Sequence, residues 1–336
     1  MVGIESYGAA LPTLRLPASA YVAAWGSCQA RGMKQKAFCA YDEDAVTLGI
    51  EAARVALGRM GREAKIAALF FGATTPPYDE KPSAATLPTA LFAGGGMRVT
   101  EISGSPQAGM QALLSAMEFC KAHDGAWALA VAADAPSAPP DAGFEHALGA
   151  GAAAFVVGPN GAAAELVGDF GVTQETFGAR FRRHGETTLS DLELRTRDRE
   201  SALAALGRAL KAANGAVPKR VALGVDAGLA RGAGKSLNCP DAAVDALWID
   251  IGDAGSAAAP LALAQALDEA EAGDIVLAAA VGSGATAALL RAGSGLAALR
   301  AKGSKVADLV AAGRTVDYVT YLKQRRVLSS RFGGKG

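Results

Sequence analysis

The chain has little of what most metal and catalytic sites are built from. Its 336 residues include four cysteines and three histidines. Cys28, Cys39, Cys120 and Cys239 form no C-x-x-C pair, and His123, His146 and His184 are scattered, so no metal site is expected. The same spacing offers no disulfide framework, which fits a reducing cytoplasm. An excess of either charge is also lacking. The 33 basic residues balance 33 acidic ones, which argues against a nucleic-acid binder, because such proteins need a basic footprint. The longest apolar runs, such as residues 275–281, are too short to cross a bilayer and read as buried strands. Glu5 interrupts the N-terminus with no basic stretch before an apolar one, so no signal peptide is expected. Aromatics are only 6% of the chain, so small side chains must fill the interior.

Those small side chains are plentiful. Hydrophobic residues make up 51%, with Ala and Gly dominant. A chain this long can bury a sizeable core in one large or two average domains. Small residues let helices and sheets approach closely, which suits a layered α/β protein.

Apolar spacing predicts alternating strands and helices. Asp42, Glu43 and Asp44 precede a helix over 45–60, where acids suit the positive end of the dipole. Residues 66–71 read as a buried strand, 108–121 as a helix, and 127–132 and 152–157 as strands. The second half repeats this rhythm: helix 201–213, strand 220–225, helix 260–272, strands 274–280 and 285–290. The stretch 126–133 parallels 274–281, and each precedes a Gly-rich segment and another strand. The period is about half the chain, too long for a solenoid. Two related halves, 1–162 and 163–330, are therefore expected, joined through the Gly- and Pro-containing residues 158–164, with a cleft at their junction. Residues 173–194 are less regular and gather Arg180, Arg182, Arg183 and His184. They are either a solvated loop or a basic lip for the phosphates of coenzyme A or an acidic partner face. The tail 333–336 is expected to fray.

Several stretches carry a family likeness. They are Val2-Gly3-Ile4-Glu5-Ser6-Tyr7-Gly8-Ala9-Ala10-Leu11-Pro12, the Asp42-Glu43-Asp44 helix start, and residues 72–82, 101–111, 147–158, 252–260 and 316–326. In this order they resemble the 3-hydroxy-3-methylglutaryl-CoA synthase family of the thiolase superfamily nearly end to end. The resemblance implies a thiolase fold, with two pseudo-twofold related α/β halves in a five-layer αβαβα sandwich, usually as a dimer. It also implies an interface built partly from the strand near 98–102 and the apolar loop 74–91.

Active members of that family use three groups. A Cys thiolate at a helix N-terminus takes the acyl group. A His polarises the thioester carbonyl, and a Glu moves a proton during carbon–carbon bond formation. By resemblance the Cys falls on Gly104. The segment is one residue short, so Ser103 or Ser105 could occupy the place; both also suit helix capping. The His falls on Gly224 and the Glu on Thr74, which cannot act as a carboxylate base. A fourth position, usually Asn, falls on Asp250, where a buried carboxylate would oppose a thioester oxygen. No catalytic residue is expected intact. Ser103, Ser105, His146 and Ser283 are candidates for lining the cleft; Asp79 and Glu80 read as solvated.

A subgroup of the family keeps the fold and lacks the Cys. Its example is the acyltransferase-like subunit of diacetylphloroglucinol-type complexes, which the chain resembles at 72–78, around 104 and at 252–258. The resemblance implies a degenerate subunit of an acyl-CoA condensing or thiolytic complex. Its partners would be a competent thiolase-like chain and a small OB-fold, zinc-ribbon protein, in a homo- or heterodimer. A coenzyme A thioester is a possible ligand, with no covalent cofactor. Two alternatives stand beside this: an active acyltransferase working through Ser103 or Ser105, and a module that binds CoA thioesters without turnover.

Overall fold

The computed structural model describes residues 2–61, 64–140, 142–175, 180–191, 217–236, 243–244 and 247–328, with the single residues 204 and 207. The first half runs β1 (Gly3–Ala10), β2 (Leu14–Pro17), α1 (Ala18–Trp25), β3 (Gln35–Ala37), α2 (Ala45–Met60), β4 (Ile66–Gly72), α3 (Thr86–Phe92), β5 (Arg98–Ile102), α4 (Ala108–Ala122), β6 (Trp127–Asp134) and β7 (Gly151–Gly158). There follow β8 (Ala164–Thr173), β9 (Arg220–Ala222), α5 (Ala227–Ser236), β10 (Ala243–Val244), α6 (Trp248–Ile251), α7 (Ala258–Glu269), β11 (Ile275–Gly282) and β12 (Gly284–Ala292). The chain closes with α8 (Leu296–Arg300), α9 (Val306–Ala311), β13 (Arg314–Thr315) and α10 (Tyr318–Gln324). Local chemistry sets the boundaries. At α2, Asp44 accepts from Thr47 N at 2.8 Å while the Thr47 hydroxyl accepts from Asp44 N at 2.8 Å, a reciprocal cap.

Ten strands form one sheet in the order β10-β9-β11-β12-β8-β1-β7-β6-β4-β5. Counted from the centre outwards, its halves match strand for strand. β1 and β8 meet antiparallel, β7 and β12 lie next and antiparallel, then β6 and β11, with β4 and β9 parallel to those and β5 and β10 parallel at the edges. The matching stretches 126–133 and 274–281 become β6 and β11, equivalent positions in the two halves.

Period-two burial assigns the layers. In β7, Ala153, Phe155 and Val157 enter the central core, whereas Ala152, Ala154 and Val156 face the outer cluster under α2. In β12, Ala288, Leu290 and Ala292 point to that same central core, and Ala285, Ala287 and Leu289 point away with Ala233 of α5. The central core also contains Met110, Leu113 and Met117 of α4 and Leu261, Leu263 and Leu267 of α7. The order is thus α2, one half-sheet, α4 with α7, the other half-sheet, α5. That is the thiolase fold, five layers deep.

Several expectations change at the element level. Helix α7 starts two residues before 260 and stops three before 272, because Ala270 turns extended and leads to the left-handed Gly273 ahead of β11. Strand β9 stops at Ala222, two residues before the left-handed Gly224. Helix 201–213 lies almost wholly outside the described residues, and the tail 333–336 lies outside them altogether. The loop 74–91 is not uniformly loop. Ser83–Ala85 is a 3₁₀ turn leading into α3, and Ala84 and Leu87 are fully buried under α2, so much of its apolar character serves the chain's own core. Strand β8 and the small sheet β13-β2-β3 were not foreseen.

Candidate functional site

The parallel strands β4, β5 and β6 end together, and the starts of α4 and α7 are pressed against those ends. A Cβ on Gly72 would lie 2.3 Å from the Ala108 carbonyl oxygen, and one on Gly109 would lie 2.1 Å from that of Ser256. Only glycine permits this approach of strand end to helix start. The turn from β11 to β12 completes the rim, since a Cβ on Gly282 would lie 2.7 Å from Ser105 Oγ.

One carboxylate sits at the centre. Asp134, the last residue of β6, is fully buried. Its Oδ2 accepts from Thr74 N at 3.2 Å, from Thr74 Oγ1 at 2.6 Å and from Ser256 N at 2.8 Å. Its Oδ1 accepts from Thr75 Oγ1, whose oxygen accepts in turn from Ala135 N. Four donors therefore engage its two oxygens. The group ties the ends of β4 and β6 to the approach of α7. Sequence reasoning missed Asp134. The signal was a lone acid closing an otherwise apolar strand, Ala-Val-Ala-Ala-Asp.

Thr74 and Gly104 stand side by side. The last paired residues of β4 and β5 are Gly72 and Ile102, and each of the two positions lies two residues beyond. Gly104 has φ +87, and a Cβ there would meet nothing within 4 Å. Ser103 is exposed. Ser105 is half-buried, and its Oγ accepts from Gln107 N at 3.2 Å, one residue before α4 begins. No side chain caps α4 itself. Gln107 is buried and accepts from Thr286 Oγ1 at 2.6 Å, which joins the helix start to β12. Ser283 is exposed at the β11–β12 turn. Gly224 also borders this end, but its φ is +61 and a Cβ would fall 2.2 Å from the backbone of Ala258, so a side chain as large as His has no room there.

Two sequence candidates lie elsewhere. Asp250 does not bring a buried charge to the site. It is on α6 with a 34% exposed side chain, 3.8 Å from Lys34, because the short helix turns it outward. His146 does not reach the cleft mouth. It is buried, stacks on Tyr21 with ring centroids 3.9 Å apart, and accepts from Gln29 N through Nδ1. Burial pulls its pKa below the ordinary histidine value, although Glu145 partly opposes this.

His146 belongs to a separate polar cluster, whose main members sequence reasoning passed over. Lys36 and Glu145 form a fully buried ion pair at 2.7 Å. Lys36 Nζ also donates to the Glu145 carbonyl and to Tyr321 OH, and lies 4.7 Å from the centroid of the Tyr321 ring. Glu145 accepts from the hydroxyls of Tyr21 and Tyr321. Burial brings the Lys36 ammonium down to about 8 against the pull of Glu145. Burial pushes the Glu145 carboxyl up, but Lys36 and the two hydroxyls more than offset this and hold it below its usual value. The cluster fastens α1, β3, the 3₁₀ turn Gly143–Ala147 and α10 together.

The basic loop is a hairpin. Phe181 and Ser190 exchange backbone hydrogen bonds at 2.9 and 2.8 Å. Arg180 pairs with Asp253 at 2.8 Å, and Arg182 donates to the Thr74 carbonyl at 2.9 Å, so both face the rim. Arg183 pairs with Glu186, and His184 is exposed.

Neither Cys39 nor Cys120 is poised as a thiolate. Burial pushes the Cys39 thiol up to about 12 and the Cys120 thiol up to about 11. Cys28 is half-buried, and Cys239 lies outside the described residues. Among the described residues no group of three or more His, Cys, Asp or Glu could hold a metal ion, and no helix is long and apolar enough to cross a membrane. A surface hollow of about 540 Å³ lined by Ala64, Lys65 and Trp127 lies at the opposite ends of β4 and β6 from the rim.

Known proteins resemble this chain in sequence and in fold. A hydroxymethylglutaryl-CoA synthase from Pyrococcus furiosus is 30% identical over 355 residues, covering 97% of this chain and 96% of that protein. The chain belongs to the hydroxymethylglutaryl-CoA synthase family. A second such synthase, from Thermococcus gammatolerans, is 37% identical over 159 residues, which are 47% of this chain and only 45% of that relative. Among solved structures, MvaS in complex with 3-hydroxy-3-methylglutaryl coenzyme A superposes with a TM-score of 0.86 at 21% identity, covering 97% of this chain and 91% of that one. No protein-family profile matches the chain. It is thus a synthase-like member of the thiolase superfamily of acyltransferases.

Proposed function

We propose that this chain is a catalytically degenerate member of the synthase family, which keeps the frame of an acyl-CoA site and supports a competent thiolase-like partner. The observation that carries the proposal is Gly104, a left-handed glycine bordering open space where the family's nucleophile would project. The surroundings agree. Thr74, at the family's Glu position, carries no carboxylate and donates its hydroxyl to Asp134, and Gly224, at the family's His position, has no room for a ring. Without thiolate, electrophile and proton carrier, binding of a CoA thioester leads to no chemistry.

An altered mechanism through Ser105 has less support. Its Oγ is engaged by Gln107 N, and among the described residues no histidine, lysine or carboxylate hydrogen-bonds it. A scaffold role requires a partner, which would be a thiolase-like chain, with a small OB-fold, zinc-ribbon protein as a third member. Among the described residues β5 is an edge of the large sheet, which offers a place to join.

The test has two arms. Purified chain is incubated with acetyl-CoA and followed by intact mass and by release of free CoA, and it is co-expressed with a thiolase-like chain and sized. No acyl adduct, no turnover and a stable heteromer are expected. Turnover by the isolated chain that disappears in Ser105→Ala overturns the degenerate reading, and a monodisperse monomer in the presence of the partner overturns the scaffold reading.

A further inference from the structure

The hairpin over residues 180–190 has a firm base and a lightly held arm. At the base, Leu189 is buried with Ala138 and Leu148, its amide donates to the Ser137 carbonyl at 2.7 Å, and Arg180 pairs with Asp253. Asp253 accepts from Gly255 N just ahead of α7, so this end is fixed to the α7 side of the rim. The arm is different. Arg182 is exposed and reaches the β4 side through a hydrogen bond to the neutral carbonyl of Thr74, with no carboxylate paired to it among the described residues. Between these two anchorage points lie Asp134 and Ser256, and next to Thr74 lies the open space at Gly104. The hairpin therefore bridges the rim from one wall to the other.

We propose that this hairpin is a strap across the mouth of the site, hinged at Leu189 and Arg180 and latched by Arg182 on the Thr74 carbonyl, and that ligand entry requires the latch to open. The inference rests on the reading of the rim as a CoA-thioester site. Physically, the base is held by a buried side chain and a charge pair with a half-buried arginine. The latch is a solvent-exposed hydrogen bond to an uncharged acceptor, among the cheapest contacts to exchange with water. Gly185, at φ +80, turns the chain between the two strands of the hairpin. Ser137 adds a route to the rest of the molecule. Its carbonyl holds Leu189, and its hydroxyl accepts from Arg325 just beyond α10.

The test uses amide hydrogen exchange on the full chain, read by peptides covering 180–190, with peptides over β4 and β6 as internal reference. Arg182→Ala is expected to raise exchange in the hairpin by about threefold to tenfold with the reference unchanged, and Arg182→Lys, which keeps a donor, should fall between. Coenzyme A itself is the binding probe, and its association rate should rise in Arg182→Ala. Hairpin exchange unaltered in that variant, or a rise shared by β4 and β6, overturns the strap, and so does an association rate that stays equal or falls. Absence of CoA binding in every form overturns the ligand reading of the rim, while the exchange experiment still decides whether the strap opens.

Discussion

Asp134 and Glu145 are both buried acids with every oxygen occupied, yet their surroundings differ in kind. Asp134 accepts from hydroxyls and backbone amides only, drawn from Thr74, Thr75 and Ser256. Glu145 faces a lysine and two tyrosines. Neutral donors hold Asp134 and fix strand and helix ends at the rim. A cation pairs with Glu145 and makes its cluster a clamp between segments far apart in sequence. The two networks thus differ in whether, among the described residues, a cation pairs with the acid.

The comparison is broken most severely at the clamp. Lys36→Met leaves Glu145 buried and unpaired, and should cost about 3–5 kcal/mol of stability in urea unfolding. Pairing it with Glu145→Leu should recover most of that loss, because the uncompensated charge is gone. At the rim, Asp134→Ala removes the acceptor of four hydrogen bonds and strands Ser256 N, so a loss of about 2–3 kcal/mol is expected by the same measurement. No rescue by a second substitution is expected there, since among the described residues no cation pairs with Asp134. Gly104→Cys should cost about 1–2 kcal/mol, because a side chain at φ +87 is strained even where space is free. Condensation should stay absent in that variant, and carbon–carbon bond formation by it would show that the remaining machinery lies elsewhere.

The smallest effect is in pH. Glu145 has a folded pKa held below its unfolded value of 4.5, so its stabilisation is full above that value and is lost as pH falls through the lower folded one. His146, depressed below 6.5, acts in the same direction, because the unfolded chain takes up the proton first as pH drops. Acid unfolding of Glu145→Gln should accordingly be shallower than that of the wild type below pH 4.5, whereas an unchanged slope would remove Glu145 from the account.

The alternation of strands and helices was legible because period-two and helical spacing are local and the chain repeats them in both halves, whereas the layer order came only with the family resemblance. Thr74, Gly104 and the serines were named by likeness alone, and the structure places them around one rim. What surrounds them was not legible. Asp134 is defined by partners about 60 and 122 residues away in sequence, Thr74 and Ser256. The position of His146 just before residues 149–157 suggests a cleft-mouth residue, yet nothing local reveals that Tyr21 lies flat against it. The resemblance puts Asp250 at a site position, and only the fold shows that α6 turns it towards Lys34. Short elements such as β2, β3 and β13 owe their existence to pairing with one another, and a four-residue strand leaves too little pattern to read.

The place of β1 has a further consequence, for how the chain comes into being. Strand β1 lies mid-sheet, and its neighbours begin only at Gly151 and Ala164. Neither half-sheet can close around β1 until about half the chain has been made, a long-range pairing that slows folding and exposes apolar strand edges meanwhile. Fragments ending before Gly151 should therefore aggregate, and folding of the whole should depend on temperature and chaperones during synthesis more than its final stability would suggest.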